Sequence, residues 1–225
     1  YKIIKGTEME QTFVDNTNKL LTLKNSNGEI HDTNYNSLSK MKGFLSKKNI
    51  YVNRSFLLNK LISYMLEQDM LPALCFVFSR KQVEVCADEI NISLFDEDSD
   101  IPSKIAKECD KLLRNKISNF AEYMELPEYR KTIALLQRGI AIHHAGVMPI
   151  LREMTEMLFE KKYIKVLFAT ETFAVGINMP TKSVIFTGLM KYNGTTMRLL
   201  YSNEYTQMAG RAGRRGIDTV GHVIH

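Results

Sequence analysis

Four short apolar runs, at residues 73–78, 139–143, 165–169 and 183–187, alternate with longer segments whose apolar residues recur at helical spacing. The runs are too short for buried helices and lack the polar alternation of half-exposed strands. They carry the mark of strands covered on both faces. Leu57, Leu58, Leu61, Ile62, Met65 and Leu66 outline a helix before the first run. Further helices are expected at 80–91, 103–124, 128–138, 149–161 and 203–209, and a final strand ends the chain. Strands alternating with helices predict an α/β fold, an open parallel sheet with helices on both faces. In such sheets ligands bind beyond the carboxyl ends of the strands.

Residues 1–50 have a different texture, rich in Asn, Thr, Ser and Lys. Asn27-Gly28 between two apolar stretches is a hairpin-turn signal. The remainder, with Lys40, Lys42, Lys47 and Lys48, reads as a solvated connector. Two parts are therefore expected: a small β and linker element over 1–50, and the α/β domain over 51–225. The first residue is Tyr1, not Met, and the last residues read as an interrupted strand. The expectation is a piece of a longer protein, truncated at both ends.

Composition narrows the classes. A net charge of +5 and a pI of about 9.0 permit a nucleic-acid partner without requiring one. Cys75, Cys86 and Cys109 are scattered and form no Cys-x-x-Cys pair. That pattern points to a reducing, intracellular compartment, with neither a disulfide framework nor a zinc site. The acidic stretch containing Asp96, Glu97, Asp98 and Asp100 reads as a surface loop. No segment offers the roughly 18–20 apolar residues that span a bilayer, so no membrane partner is expected.

Three polar clusters follow strand ends, and each admits two readings. Ser79 and Arg80 offer a hydroxyl and a cation to a phosphodiester, or a helix cap beside a solvated arginine. His143 and His144 would point to opposite faces of a strand, which makes them a poor shared metal site. His144 and Gly146 read as a backbone contact to nucleic acid, with either histidine open to burial. Thr170, Glu171 and Thr172, followed by Gly176, Asn178 and Pro180, suit phosphate oxygens at a helix start, or serve as that helix's cap and stop. A fourth cluster lies near the end: Gln207, Arg211 and Arg214 among Gly210, Gly213 and Gly216. Arginine forks match phosphate oxygens bidentately, and small residues permit close approach. The alternative is a solvated basic loop.

Taken together, residues 139–149, 169–180 and 207–216 resemble the second RecA-like (helicase C-terminal) domain of superfamily 2 helicases. The likeness is strongest to the Ski-like DExH-box RNA helicases that feed RNA to the exosome, and it covers about residues 50–225. The resemblance implies a RecA-like sheet and an ATP-dependent 3′-5′ RNA helicase. It implies that Ser79 and Arg80 (motif IV), His144 and Gly146, and Thr170 and Glu171 (motif V) contact single-stranded RNA. Gly176 and Asn178 fall on the nucleotide side of motif V, where many relatives carry Asp at the position of Asn178. Gln207, Arg211 and Arg214 (motif VI) face ATP, with the two arginines as catalytic fingers onto the γ-phosphate; Arg215 is not implied as one. Residues 7–48 are similar to the segment that leads out of the first RecA-like domain.

The chain has no phosphate loop and no Asp-Glu-x-His box. In the family these lie on the first RecA-like domain, which supplies the ligands of Mg2+. The implied partners are therefore ATP with Mg2+, single-stranded RNA, the first RecA-like domain of the same protein, and an RNA-decay or processing complex. Alone, this half is expected to hydrolyse ATP negligibly. A DNA-directed helicase of the same superfamily and a non-catalytic RecA-like scaffold stay open as alternatives.

Overall fold

In a computed structural model, which describes residues 4–17, 19–173, 179 and 181–225, the four apolar runs become four central strands. These are β1 (Ala73–Phe76), β2 (Ile140–His143), β3 (Val166–Ala169) and β4 (Ser183–Phe186), and every residue in them is buried. Their order is β2-β3-β1-β4, with β7 (His222–Ile224) at the edge beside β4, and every pairing is parallel. Parallel strands need crossovers, and the intervening helices supply them. Between the strands lie α4 (Arg80–Asp88), α5 (Ile101–Lys116), α6 (Phe120–Glu125), α7 (Pro127–Gln137) and α8 (Pro149–Glu160), while α3 (Arg54–Glu67) precedes β1. Helix α4 packs on β2 and β3, α7 and α8 pack on β2, and α5 packs on α7 and α8. Phe76, Phe168, Leu74, Ile140 and Leu136 have no solvent exposure. Each such side chain contributes roughly 1.5–3 kcal/mol of burial free energy.

The register decides where chemistry can emerge. Phe76 pairs with Ala169 and Phe186, and Ala169 with His143, so the four strands end level. The residues that follow, Ser79, His144 and Thr170, therefore leave the sheet at one end.

The chain divides into two compact units, Tyr1–Arg54 and Ser55–His225. The first differs from its sequence reading. The turn at Asn27-Gly28 forms, with Gly28 at φ +87°, but among the described residues it closes a single antiparallel bridge, Lys24 with Ile30. The expected connector is helical: α1 (Glu10–Asn16) and α2 (Asp32–Lys47). Leu38, Met41, Phe44 and Leu45 are half-buried along one side of α2, and Phe44 meets Phe13 edge-on at 6.4 Å. Their three- and four-residue spacing was a helical signal diluted by the surrounding Asn, Ser and Lys. The helix expected over 103–124 is two helices. Ile117 turns extended (φ −123°, ψ 116°), and α6 starts after Asn119. Among the described residues no helix is long and apolar enough to cross a membrane.

Candidate nucleotide and nucleic-acid sites

Ser79 occupies the N-cap position of α4 with extended backbone, yet its hydroxyl makes no capping bond, and both Ser79 and Arg80 are exposed. The Arg80 stem lies against the β2 loop. A methyl on Gly146 would sit 3.7 Å from Arg80 Cδ and 3.2 Å from His144 Nδ1. His144 itself is only 3% exposed, and its Nδ1 accepts the Gly146 N–H at 3.1 Å. That bond keeps the Nδ1 lone pair engaged and leaves the neutral ring's proton on Nε2, 3.4 Å from Glu84 Oε1. His143 is 6% exposed, with Nε2 2.9 Å from Glu156 Oε1 and its ring against Phe173. Burial pushes both imidazoles below their ordinary pKa, and the neighbouring glutamates offset only part of that. Neither ring faces solvent. What the His144–Gly146 segment presents is backbone and the close approach that Gly146 allows.

Thr170 continues β3 beside this loop, its N–H reaching His143 O at 3.3 Å. Its hydroxyl meets that of Thr172 at 3.0 Å, and Glu171 stands half-exposed next to them. Gly176, Asn178 and Pro180 lie outside the described residues.

The arginine loop is built at the opposite end of the sheet. Helix α9 (Ser202–Ala209) leads into it, with Gln207 exposed. Thr181, fully buried two residues before β4, pairs with Ala212 as a single parallel bridge. The Thr181 N–H donates to Arg211 O at 2.9 Å, and the Gly213 N–H donates to Thr181 O at 2.7 Å. Gly213 takes φ +88°, a left-handed conformation that favours glycine, and Gly221 backs directly onto it. Arg214 then closes a turn with Asp218. The carboxylate accepts from Arg214 N (2.9 Å), Nε (2.7 Å) and Nη2 (2.6 Å). The Asp218 side chain is 4% exposed. Hydrogen bonding from Arg214 holds its carboxyl down at about 2 and pushes the guanidinium up. This side-on grip turns the far edge of the guanidinium, with Nη1, away from Asp218.

The structure thus sorts the expected residues into two groups. Ser79, Arg80, His144, Gly146, Thr170 and Glu171 gather beyond the carboxyl ends of β1, β2 and β3. Arg211 and Arg214 lie at the amino end of β4, about 13 Å away by the length of a four-residue strand. The two groups do not share one pocket.

The helicase conserved C-terminal domain family matches residues 101–216, more than half of the chain. This chain belongs to that helicase family. It is 46% identical over 168 residues to the antiviral helicase SKI2 of Saccharomyces cerevisiae, across 73% of this chain and 12% of that protein. It is 43% identical over 165 residues to the exosome RNA helicase MTR4 of Mus musculus, across 73% of this chain and 16% of that protein. The DExH-box ATP-dependent RNA helicase DExH11 of Arabidopsis thaliana is 44% identical over 165 residues, across 73% of this chain and 12% of its own length. The chain therefore spans less than a fifth of these relatives. The parallel five-stranded sheet is that of a RecA-like helicase C-terminal domain.

Several residues of this helicase domain escaped the sequence reading. Thr181, Asp218 and Gly221 hold the arginine loop. A two-stranded hairpin, β5 (Met190–Tyr192) and β6 (Met197–Leu199), follows β4. Its signal was Asn193-Gly194 between two short alternating runs. Lys191 pairs across this hairpin with Arg198, and both side chains turn inward, 16% and 20% exposed. Like charges face to face are unfavourable. Glu204, in the first turn of α9, and Glu171 offset them: Arg198 forks onto Glu204 with two 2.8 Å bonds, and Lys191 Nζ lies 2.9 Å from Glu204 and 3.4 Å from Glu171. The Glu204 carboxyl is held well below the usual carboxylate range, first by Arg198 and then by the Tyr201 N–H. Among the described residues no three His, Cys, Asp or Glu side chains gather to hold a metal ion.

Proposed function

We propose that this chain is the C-terminal RecA-like half of an ATP-dependent 3′-5′ RNA helicase, related to the exosome-associated DExH-box enzymes. The observation that carries the reading is the arginine loop. Two arginines, on a backbone clamped between Thr181 and Gly221, stand ready at an edge where a second RecA-like domain can bring a nucleotide. Arg211 and Arg214 stabilise charge on the γ-phosphate, Gln207 contacts the nucleotide, and the far edge of Arg214 is the one presented. The phosphate loop and the ligands of Mg2+ are assigned to the first RecA-like domain, so this half alone hydrolyses ATP negligibly.

At the other end, Ser79, Arg80, the His144–Gly146 backbone, Thr170 and Glu171 grip the backbone of single-stranded RNA. Such contacts are tolerant of sequence and weakened by salt. The three cysteines, all free and buried, fit a reducing intracellular compartment in which the protein serves an RNA-decay or processing complex.

The test is Arg214→Ala in the full-length protein. Loss of a finger lowers kcat by about 10³–10⁵-fold, while single-stranded RNA affinity changes little. If RNA affinity collapses and ATPase survives, the assignment is reversed. Stimulation of the wild-type ATPase by RNA and not by single-stranded DNA supports the RNA reading, and preference for DNA overturns it.

A further inference from the structure

The two groups of site residues lie at opposite ends of the sheet, and one helix runs between them. Helix α9 has eight residues, about 12 Å of rise, close to the length of the strands it parallels in extent. Its first turn carries Glu204, which meets Lys191, and Lys191 Nζ also reaches Glu171 Oε1 at 3.4 Å. Its last turn passes without a break into the arginine loop. Gly210 N–H bonds Thr206 O, Arg211 N–H bonds Met208 O, and Ala212 N–H bonds Ala209 O. No flexible joint separates Glu204 from Arg211. Gly210 remains in the right-handed helical region.

We propose that α9 is a strut that couples the strand-end group to the arginine loop, with Lys191 as the positioning residue that ties its upper end to Glu171. The proposal rests on the helicase reading above and names the link that the reading requires. Glu204 is fixed to α9 by its own helix and to the hairpin by Arg198, so it moves with the helix. Glu171 belongs to the turn after β3. Lys191 pairs with both carboxylates and is itself largely buried, while Glu171 is half-exposed, so solvent screens the Glu171 contact more than the Glu204 contact. When a bound strand shifts Glu171, the ammonium either pulls Glu204 along or gives up one partner. A displacement at the top of a rigid helix reappears at its lower end, where Arg211 and Arg214 begin. Arg198 hydrogen-bonds Glu204 and meets Glu171 only through the electrostatic field between them, the weakest of the influences on its guanidinium, so it holds the helix chiefly through Glu204.

The experiment uses the full-length protein and measures steady-state ATPase with and without a saturating 20-nucleotide oligo(U) RNA. Lys191→Met keeps the stem and removes the charge. It is expected to lower the RNA-stimulation factor about 5-fold or more, while unstimulated ATPase and oligo(U) affinity stay within about 2-fold. Lys191→Arg, which can bridge two carboxylates, restores stimulation. Arg198→Met retains it. A second readout is independent of turnover: oligo(U) changes amide hydrogen exchange in α9 of the wild type and leaves it unchanged in Lys191→Met. Wild-type stimulation in Lys191→Met, or an equal loss in Arg198→Met, overturns the strut. A wild-type ATPase indifferent to RNA overturns the helicase reading itself, and the strut with it.

Discussion

Gly221→Ala is the sharpest probe of how the arginine loop is held. Gly221 has no left-handed φ, so an alanine there carries no backbone strain of its own. By chain entropy alone the substitution would stabilise the protein by about 0.4–1 kcal/mol. The added methyl, however, would lie 2.6 Å from the carbonyl carbon and oxygen of Ala212 and 2.6 Å from the nitrogen of Gly213. These are backbone atoms, with no side-chain end to swing aside. The loop can retreat only by stretching the Gly213 N–H bond to Thr181 O (2.7 Å) and the Thr181 N–H bond to Arg211 O (2.9 Å). Overpacking of this kind costs about 1–3 kcal/mol, and each weakened bond adds about 1 kcal/mol. After the entropy gain, the net loss is about 3 kcal/mol. For a domain of this size that lowers Tm by roughly 6–12 °C. Scanning calorimetry checks it, with Gly188→Ala as the reference. A methyl there meets nothing within 4 Å, and its φ is unstrained, so its Tm stays at or slightly above wild type. A Gly221→Ala protein as stable as Gly188→Ala refutes the clamp.

Asp218→Asn is expected to lower the kcat of the full-length ATPase on the order of 10-fold or more by loosening Arg214. The same change in an Arg214→Ala background should cost nothing further, and an additive loss would place the action of Asp218 elsewhere. The Asp218 carboxyl titrates at about 2 in the fold against an ordinary value of 3.8, so its stabilisation is complete above about pH 4 and is lost as pH falls toward 2. The Tm difference between wild type and Asp218→Asn should shrink across that window. His143 and His144 are held neutral by burial below the ordinary value of 6.5. The unfolded chain takes up protons that the folded one resists, so stability falls as pH drops below 6.5. His143→Gln should flatten that slope in denaturant melts taken between pH 7 and 5.

Local pattern carried far in this chain. The runs around Phe76, Ile142, Phe168 and Ile185 are strands because continuous apolar sequence four residues long has no better way to leave water than between two layers of helices. The positions of Ser79, His144 and Thr170 at strand ends followed from that. The hairpin around Asn193-Gly194 was written in its turn residues. It went unread because its buried face is Lys191 and Arg198, and its apolar face, with Met190, Tyr192, Met197 and Leu199, is exposed. Periodicity alone inverts such an element.

By itself the sequence determined the four central strands, most of the helices after residue 54 and the α/β class, because each depends on neighbours within a few residues. Only the tertiary structure decided the rest. The strand order β2-β3-β1-β4-β7 places β1 at the centre through pairings with β3 and β4, whose residues lie about a hundred positions away. The buried, backbone-facing state of His144 depends on Gly146 and Glu84 closing around it. The separation of the arginine loop from the strand-end group depends on one bridge, Thr181 to Ala212, made across 30 residues of chain. Hydrogen bonds and charges act through space, and no window along the chain contains both partners.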